Sequence, residues 1–229
     1  MPDHKAESIL IALTSHGQLG DTGRATGAYL PEIAHPWSVF KAAGYSVDLA
    51  SVEGGDPPLD GVDLDDPIQR QFTEDSQMSQ KLATTMTPKD VHPNDYAAIF
   101  FAGGHGSMWD FPDNAEFARI AIDIYERGGV IGAVCHGPAA LVNMTLPNGR
   151  PLVAGKKISA FTNEEERLMG LTEVVPFLLQ SRLEQAGAEH IGTAAFKEWV
   201  VVDERIVTGQ NPASATGVAE SVVAELAQH

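Results

Sequence analysis

The pentapeptide AVCHG, residues 133–137, carries the chain's single cysteine with a histidine directly after it. A thiol that attacks carbonyls needs access to its electrophile, a neighbour to take its proton, and donors for the negative charge that then appears on oxygen. Ala133 and Gly137, two positions to either side of Cys135, permit a sharp strand-to-helix bend that relieves backbone crowding at both shoulders and throws the central side chain into the open. The same bend sets the sulfur against the unpaired N–H groups that begin the next helix, which favour a thiolate and, later, an oxyanion. A buried, inert thiol is the competing reading of a lone cysteine. Neighbours on a helix do not share a face, so His136 serves the sulfur only if the bend itself brings the ring round.

Four further stretches hold side chains that do chemistry. GAYLPEIAHPW, residues 27–37, sets Glu32 and His35 among turn formers. GGHG, residues 103–106, ends an apolar run; Gly103 and Gly104 offer an opposing wall and a further backbone donor, with His105 in the same pocket. FTNEEER, residues 161–167, places Glu164, Glu165 and Glu166 just after a predicted strand, and TGQNPAS, residues 208–214, ends another. For any one of these acids, solvation or helix capping is the default role. GGHG fits neither GxGxxG nor GxxxxGK[ST], which argues against dinucleotide or nucleoside-triphosphate binding. The eight histidines form no His-x-x-x-His pattern, and one cysteine allows neither an internal disulfide nor a thiolate zinc cluster. The expectation is a site with no metal and no cofactor.

The elements that must position these groups alternate. Apolar runs at 9–13, 45–51, 97–104, 130–134, 157–161, 199–203 and 206–208 read as strands. Helices are predicted over 29–43, 114–127, 174–185 and near the carboxyl terminus, the second from Phe117, Ile120, Ala121 and Ile124 at helical spacing. This alternation predicts an α/β fold, a mostly parallel sheet between helices, with functional loops outside the carboxyl ends of the strands. Residues 53–95 break the rhythm with acidic, turn-rich EGGDPPLDGVDLDD and a short helix over 74–85 capped by Thr73, and are expected to form an inserted cap region. The whole of 1–229 is expected to be one domain.

The formal charge of −16 disfavours nucleic acid and anionic membrane surfaces as partners. The opening MPDHKAE and the short ILIAL run show neither a membrane span nor a cleavage signal, and a single cysteine suits a reducing compartment, so a cytoplasmic location is expected.

Taken together, GAYLPEIAHPW, YSVDLAS, AIFFAGGHGSMWDFP, GAVCHGPAAL, GRPLVAGKKISAFTNEEE and VTGQNPAS resemble the DJ-1/PfpI superfamily over nearly the entire chain, and within it the Hsp31-like glutathione-independent glyoxalases. The resemblance implies a DJ-1/PfpI-like, flavodoxin-like sandwich, a homodimer, Cys135 as nucleophile, His136 as its imidazole partner, Glu166 completing the triad, and Glu32 as the acid beside the sulfur. It also implies that Gly104 and His136 supply backbone N–H groups to an oxyanion site. The implied substrate is a small 2-oxoaldehyde such as methylglyoxal, turned into a 2-hydroxy acid through a cysteine hemithioacetal without glutathione, with His136 or Glu32 shuttling the proton. Because one fold hosts many chemistries, a stress-related holding chaperone with unfolded clients, a cysteine-dependent amidase, peptidase or protein deglycase, and a redox sensor stand as alternatives. The missing downstream His-x-Glu element, His190 being followed by Ile191 and Gly192, argues against a glutamine amidotransferase.

Overall fold

The computed structural model describes residues 8–228; the opening MPDHKAE segment and the terminal His229, both within the single domain expected from sequence, lie outside them. Six strands form the main sheet: β1 (Ser8–Leu13), β2 (Ser46–Ser51), β3 (Tyr96–Phe101), β4 (Val130–Val134), β5 (Val200–Asp203) and β6 (Ile206–Gly209). Their order is β2-β1-β3-β4-β6-β5, with every pairing parallel except the edge pair β6–β5. Strands flanked by helices on both faces must be apolar on both, which is why ILIAL, AAIFF and VIGAV run almost without interruption.

Strand alternation sorts these residues into two cores. Leu10, Ile99, Phe101 and Ile131 point to one side, where α4 (Ala115–Glu126) delivers Phe117, Ile120 and Ile124. Ile9, Ile11, Phe100 and Val134 point to the other, against α1 (Pro31–Ala42) and the terminal helix α7 (Ala215–Leu226). Asn114 caps α4 through its side-chain oxygen, which accepts from the Phe117 N–H. Within the sheet, β2 and β3 pair with opposite edges of β1. The loops after β1, β3 and β4 therefore meet at a switch point at the carboxyl ends of the strands.

Several boundaries differ from those expected. In place of one helix capped by Thr73 there are two, α2 (Pro67–Glu74) and α3 (Ser76–Ala83), capped by Asp66 and Asp75. Thr73 instead donates back to the Gln69 and Arg70 carbonyls, while the Asp75 carboxylate accepts from the Gln77 and Met78 N–H groups ahead of it. Phe72 and Met78 seat this stretch on the α1 side of the sheet. The helix expected over 174–185 is only Leu179–Gln185, α6: Pro176 disfavours helical backbone at Val175, and Leu178 is extended. The 157–161 strand reduces to Lys157–Ile158, paired with Glu189–His190 away from the main sheet.

Candidate active site

Strand β4 delivers Cys135 into a left-handed backbone conformation, φ 60°. A non-glycine residue there carries strain on the order of 1–3 kcal/mol and holds it only where its surroundings over-determine it. Here both peptide groups of Cys135 are bound: its N–H donates to the Gly209 carbonyl at 2.9 Å, and its carbonyl accepts from the Phe161 N–H at 2.9 Å. Gly137 is the other requirement, since a Cβ at that position would collide with the Phe101 carbonyl of β3. The bend opens into a 3₁₀ turn, Gly137–Leu141 with Pro138 inside it, and not into the α-helix expected from sequence. The His136 N–H at the start of this turn acts on the sulfur in the direction that favours a thiolate, though burial outweighs it.

The bend also brings the adjacent ring round. His136 Nδ1 lies 3.4 Å from Cys135 Sγ, and His136 Nε2 lies 2.8 Å from Glu166 Oε2. The carboxyl of Glu166 is held low, at about 2; burial opposes this but hydrogen bonds from His105 and His136 outweigh it. An ionised carboxylate only accepts, so the His136 proton sits on Nε2 and leaves Nδ1 as a lone pair facing the thiol. Burial, with His105 adding to it, pushes the His136 ring down to about 4. The ring is therefore a neutral base at pH 7, further from the ordinary imidazole range than a proton shuttle near 6.5 would be.

Three consecutive acids lie in the first turn of α5 (Asn163–Leu168), and the 100° step of a helix sends them to three environments. Glu164 faces solvent and pairs with Arg167. Glu165 forms a capping box with Thr162 and turns inward, accepting from the Phe196 N–H and from the side-chain amides of Gln210 and Asn211. Glu166 reaches the histidines. Sequence reasoning placed Glu166 there by resemblance but missed Glu165's role in tying 193–197 and the NPAS turn to the site.

Glu32, at the start of α1, is fully buried, and its Oε2 accepts from the Gly103 N–H at 2.8 Å. Its Oε1 is buried without a hydrogen bond of ordinary geometry. Burial raises its carboxyl to about 8, so it carries a proton at pH 7. Gly103 cannot be anything larger, because a Cβ would strike that carboxylate oxygen. Its N–H is thereby committed to Glu32, which corrects the expectation that Gly103 offers a donor to substrate. Cys135 itself is 5% exposed. Burial first, then the neighbouring Glu32, raises its thiol well above the ordinary range, contrary to the lowered thiol expected from a helix start. The resting sulfur is therefore a protonated thiol.

His105 was expected in the pocket, and the structure adds a bond that the sequence did not signal. Its Nε2 lies 2.9 Å from Glu166 Oε1, and its ring centroid is 4.1 Å from that of His136. Phe161 packs against both rings, its centroid 4.3 Å from that of His136 and 6.0 Å from that of His105. His35, by contrast, is apart from this group and bonds Asp66 at 2.6 Å, joining α1 to the cap of α2. His105, His136 and Glu166 each offer a ligand atom, all within 4.8 Å of one another. Ligands about 2.0–2.1 Å from a tetrahedral ion stand about 3.3 Å apart, whereas these nitrogens sit 2.8 and 2.9 Å from the two carboxylate oxygens. That spacing is the spacing of hydrogen bonds, and the group fits a proton-handling network better than a metal site.

A sequence profile of the DJ-1/PfpI family matches residues 25–225. The chain belongs to the DJ-1/PfpI family. Among its relatives is the protein named glyoxalase 3 of Candida albicans, 36% identical over 94% of this chain and 97% of the relative. The glutathione-independent glyoxalase HSP31 of Saccharomyces cerevisiae is 34% identical over 93% of this chain and 95% of its own. Among solved DJ-1/PfpI-fold structures, glyoxalase III of Candida albicans superposes with a TM-score of 0.89 at 35% identity, covering 96% of this chain and 98% of that one. The rapid encystment protein of 24 kDa from Francisella tularensis superposes with a TM-score of 0.93 at 38% identity over 96% and 99%. The DJ-1/PfpI fold agrees with the mostly parallel sheet between two helical layers.

Proposed function

We propose that this chain is a glutathione-independent glyoxalase that converts methylglyoxal and related 2-oxoaldehydes into 2-hydroxy acids such as lactate. The observation that carries the reading is the 3.4 Å approach of the His136 Nδ1 lone pair to the Cys135 sulfur, with Nε2 held by Glu166. The names of the curated relatives point the same way.

In the proposed reaction the Cys135 thiol adds to the aldehyde carbon while its proton passes to His136, giving a hemithioacetal. The N–H groups of Gly104 and His136 hold the new oxyanion. The proton on the former aldehyde carbon is then removed and returned to the neighbouring carbon through an enediol, producing a 2-hydroxyacyl thioester. His136 first hands the thiol proton to that oxyanion, completing the neutral hemithioacetal, and the ring, neutral again, is the base for the carbon-to-carbon transfer. Glu32, protonated at pH 7, donates to the substrate oxygen as the enediol forms. Water hydrolyses the thioester and returns the thiol. The protein supplies the sulfur, so glutathione is not needed.

An enantioselective lactate assay in thiol-free buffer tests this. Cys135→Ala should abolish lactate formation while the protein stays folded, and unchanged turnover in that variant removes the mechanism. The same variant separates a second property. Phe196 and Trp199 are exposed apolar side chains, and if they hold unfolded clients, Cys135→Ala suppresses client aggregation as well as wild type does. Light scattering on both proteins reports whether the expected homodimer forms. The proposed location is cytoplasmic; among the described residues no helix is long and apolar enough to cross a membrane.

A further inference from the structure

Conversion of an uncharged 2-oxoaldehyde and water into an ionised 2-hydroxy acid releases a proton in every turnover. In the hydrolytic step, water's oxygen bonds to the acyl carbon and the carbon–sulfur bond breaks. One water hydrogen returns to sulfur, and the other is left over. That proton appears among groups shut off from solvent: Glu32 is 0% exposed, His136 1%, Glu166 2% and Cys135 5%. His105 is different. Its side chain keeps 14% of its surface, yet its Nε2 is bonded to Glu166 and its ring lies 4.1 Å from that of His136.

We propose that His105 is the proton outlet of this site, taking the surplus proton from His136 and passing it to solvent; this rests on the glyoxalase reading of the same site. Glu166 accepts an Nε2–H from each ring, so in both rings Nδ1 is the nitrogen with a free lone pair. In His136 it faces the sulfur. In His105 it is the remaining acceptor of the pair. During hydrolysis His136 is left with a proton on Nδ1. The N–H bond there breaks and one forms at His105 Nδ1, directly or through one bridging water, and His105 then gives the proton to bulk buffer. No other bond changes. The groups facing His105 suit this passage: Glu166 lies against the resulting imidazolium, Phe161 presents an uncharged ring at 6.0 Å, and charge on His105 disfavours charge on His136, so a proton arriving on the outer ring does not share the site with one on the inner. A histidine is suited to this because imidazole both accepts and releases protons near neutrality.

The alternative is that His105 merely orients Glu166. Two variants separate these roles. His105→Gln keeps an N–H for Glu166 but cannot relay a proton, and His105→Ala opens space for free imidazole. Lactate formation is measured in dilute buffer and with increasing imidazole, beside wild type and an enzyme-free blank. The outlet role predicts that kcat in dilute buffer falls on the order of 10-fold or more in both variants, that KM stays within about 3-fold, and that imidazole restores His105→Ala while leaving wild type unchanged. Single-turnover thioester formation in His105→Gln should stay near the wild-type rate, which also shows that it is folded. A wild-type kcat for His105→Gln in dilute buffer overturns the inference, and so does a loss that imidazole restores in neither variant. Absence of lactate from the wild-type protein would instead overturn the glyoxalase reading itself, and the outlet with it.

Discussion

Glu32→Gln preserves the shape of the side chain and removes a titration that the fold resists. In the folded protein burial holds the Glu32 carboxyl at about 8 against an ordinary value of 4.5. A raised carboxyl means that the native state keeps a proton the unfolded chain has lost. Its contribution to stability is complete below pH 4.5 and declines until pH passes 8. At pH 7 the 2.5 units above the ordinary value of 4.5, at about 1.4 kcal/mol each, favour the unfolded state by about 3 kcal/mol. Glutamine stays neutral in both states. It can accept the Gly103 N–H as Glu32 does, and its amide N–H can face the Cys135 sulfur as the protonated carboxyl does. Urea denaturation at pH 7 should therefore show Glu32→Gln more stable than wild type by about 3 kcal/mol, with the difference vanishing near pH 4.5. Its lactate turnover should fall, because the amide cannot give up a proton to the substrate oxygen. Equal or lower stability of Glu32→Gln at pH 7, or a difference independent of pH, would refute the assignment of Glu32 as a buried neutral acid.

The same geometry yields two more expected outcomes. The pH profile of kcat/KM should lose activity on the acid side as His136 is protonated near about 4 and on the alkaline side as Glu32 ionises near about 8; an acid limb near the ordinary imidazole value would show that burial does not lower the ring. Glu165→Ala removes the acceptor shared by the Phe196 N–H, Gln210 and Asn211 and, by leaving buried neutral donors unsatisfied, should destabilise the fold by about 3 kcal/mol, whereas Glu164→Ala, at an exposed pair with Arg167, should leave the denaturation midpoint close to wild type; similar midpoints for the two would contradict the inward and outward assignments.

The parts of this site that sequence conveyed are those encoded over a few residues. VIGAV must be a buried strand, and small residues beside Cys135 permit a sharp bend, which is why the bend was legible; its left-handed backbone at Cys135 came only with the structure. Glu32 and Glu166 came only through the resemblance, because nothing local distinguishes them from capping or surface acids. Within Glu164-Glu165-Glu166 the distinction needed the capping box of Thr162, which fixes the helical phase and so decides which acid meets the histidines. The bond between His105 and Glu166 spans 61 residues and depends on how the loop after β3 meets α5, so no pattern announced it. The lowered thiol expected at a helix start failed for a similar reason: the sulfur's environment is set by burial and by Glu32, which arrives from a distant element. Asp75 displaced Thr73 as a cap because both are cap formers and only the break between α2 and α3 chooses between them.

The central claim is that the Cys135 sulfur bonds to the substrate, and rapid quenching of the wild-type protein with methylglyoxal, with peptide mass mapping during turnover, tests it most directly. The account predicts a substrate-derived adduct on the peptide containing residues 133–137, formed and lost at rates that match lactate production. Lactate turnover without any adduct at Cys135, persisting when that residue is alanine, would contradict it.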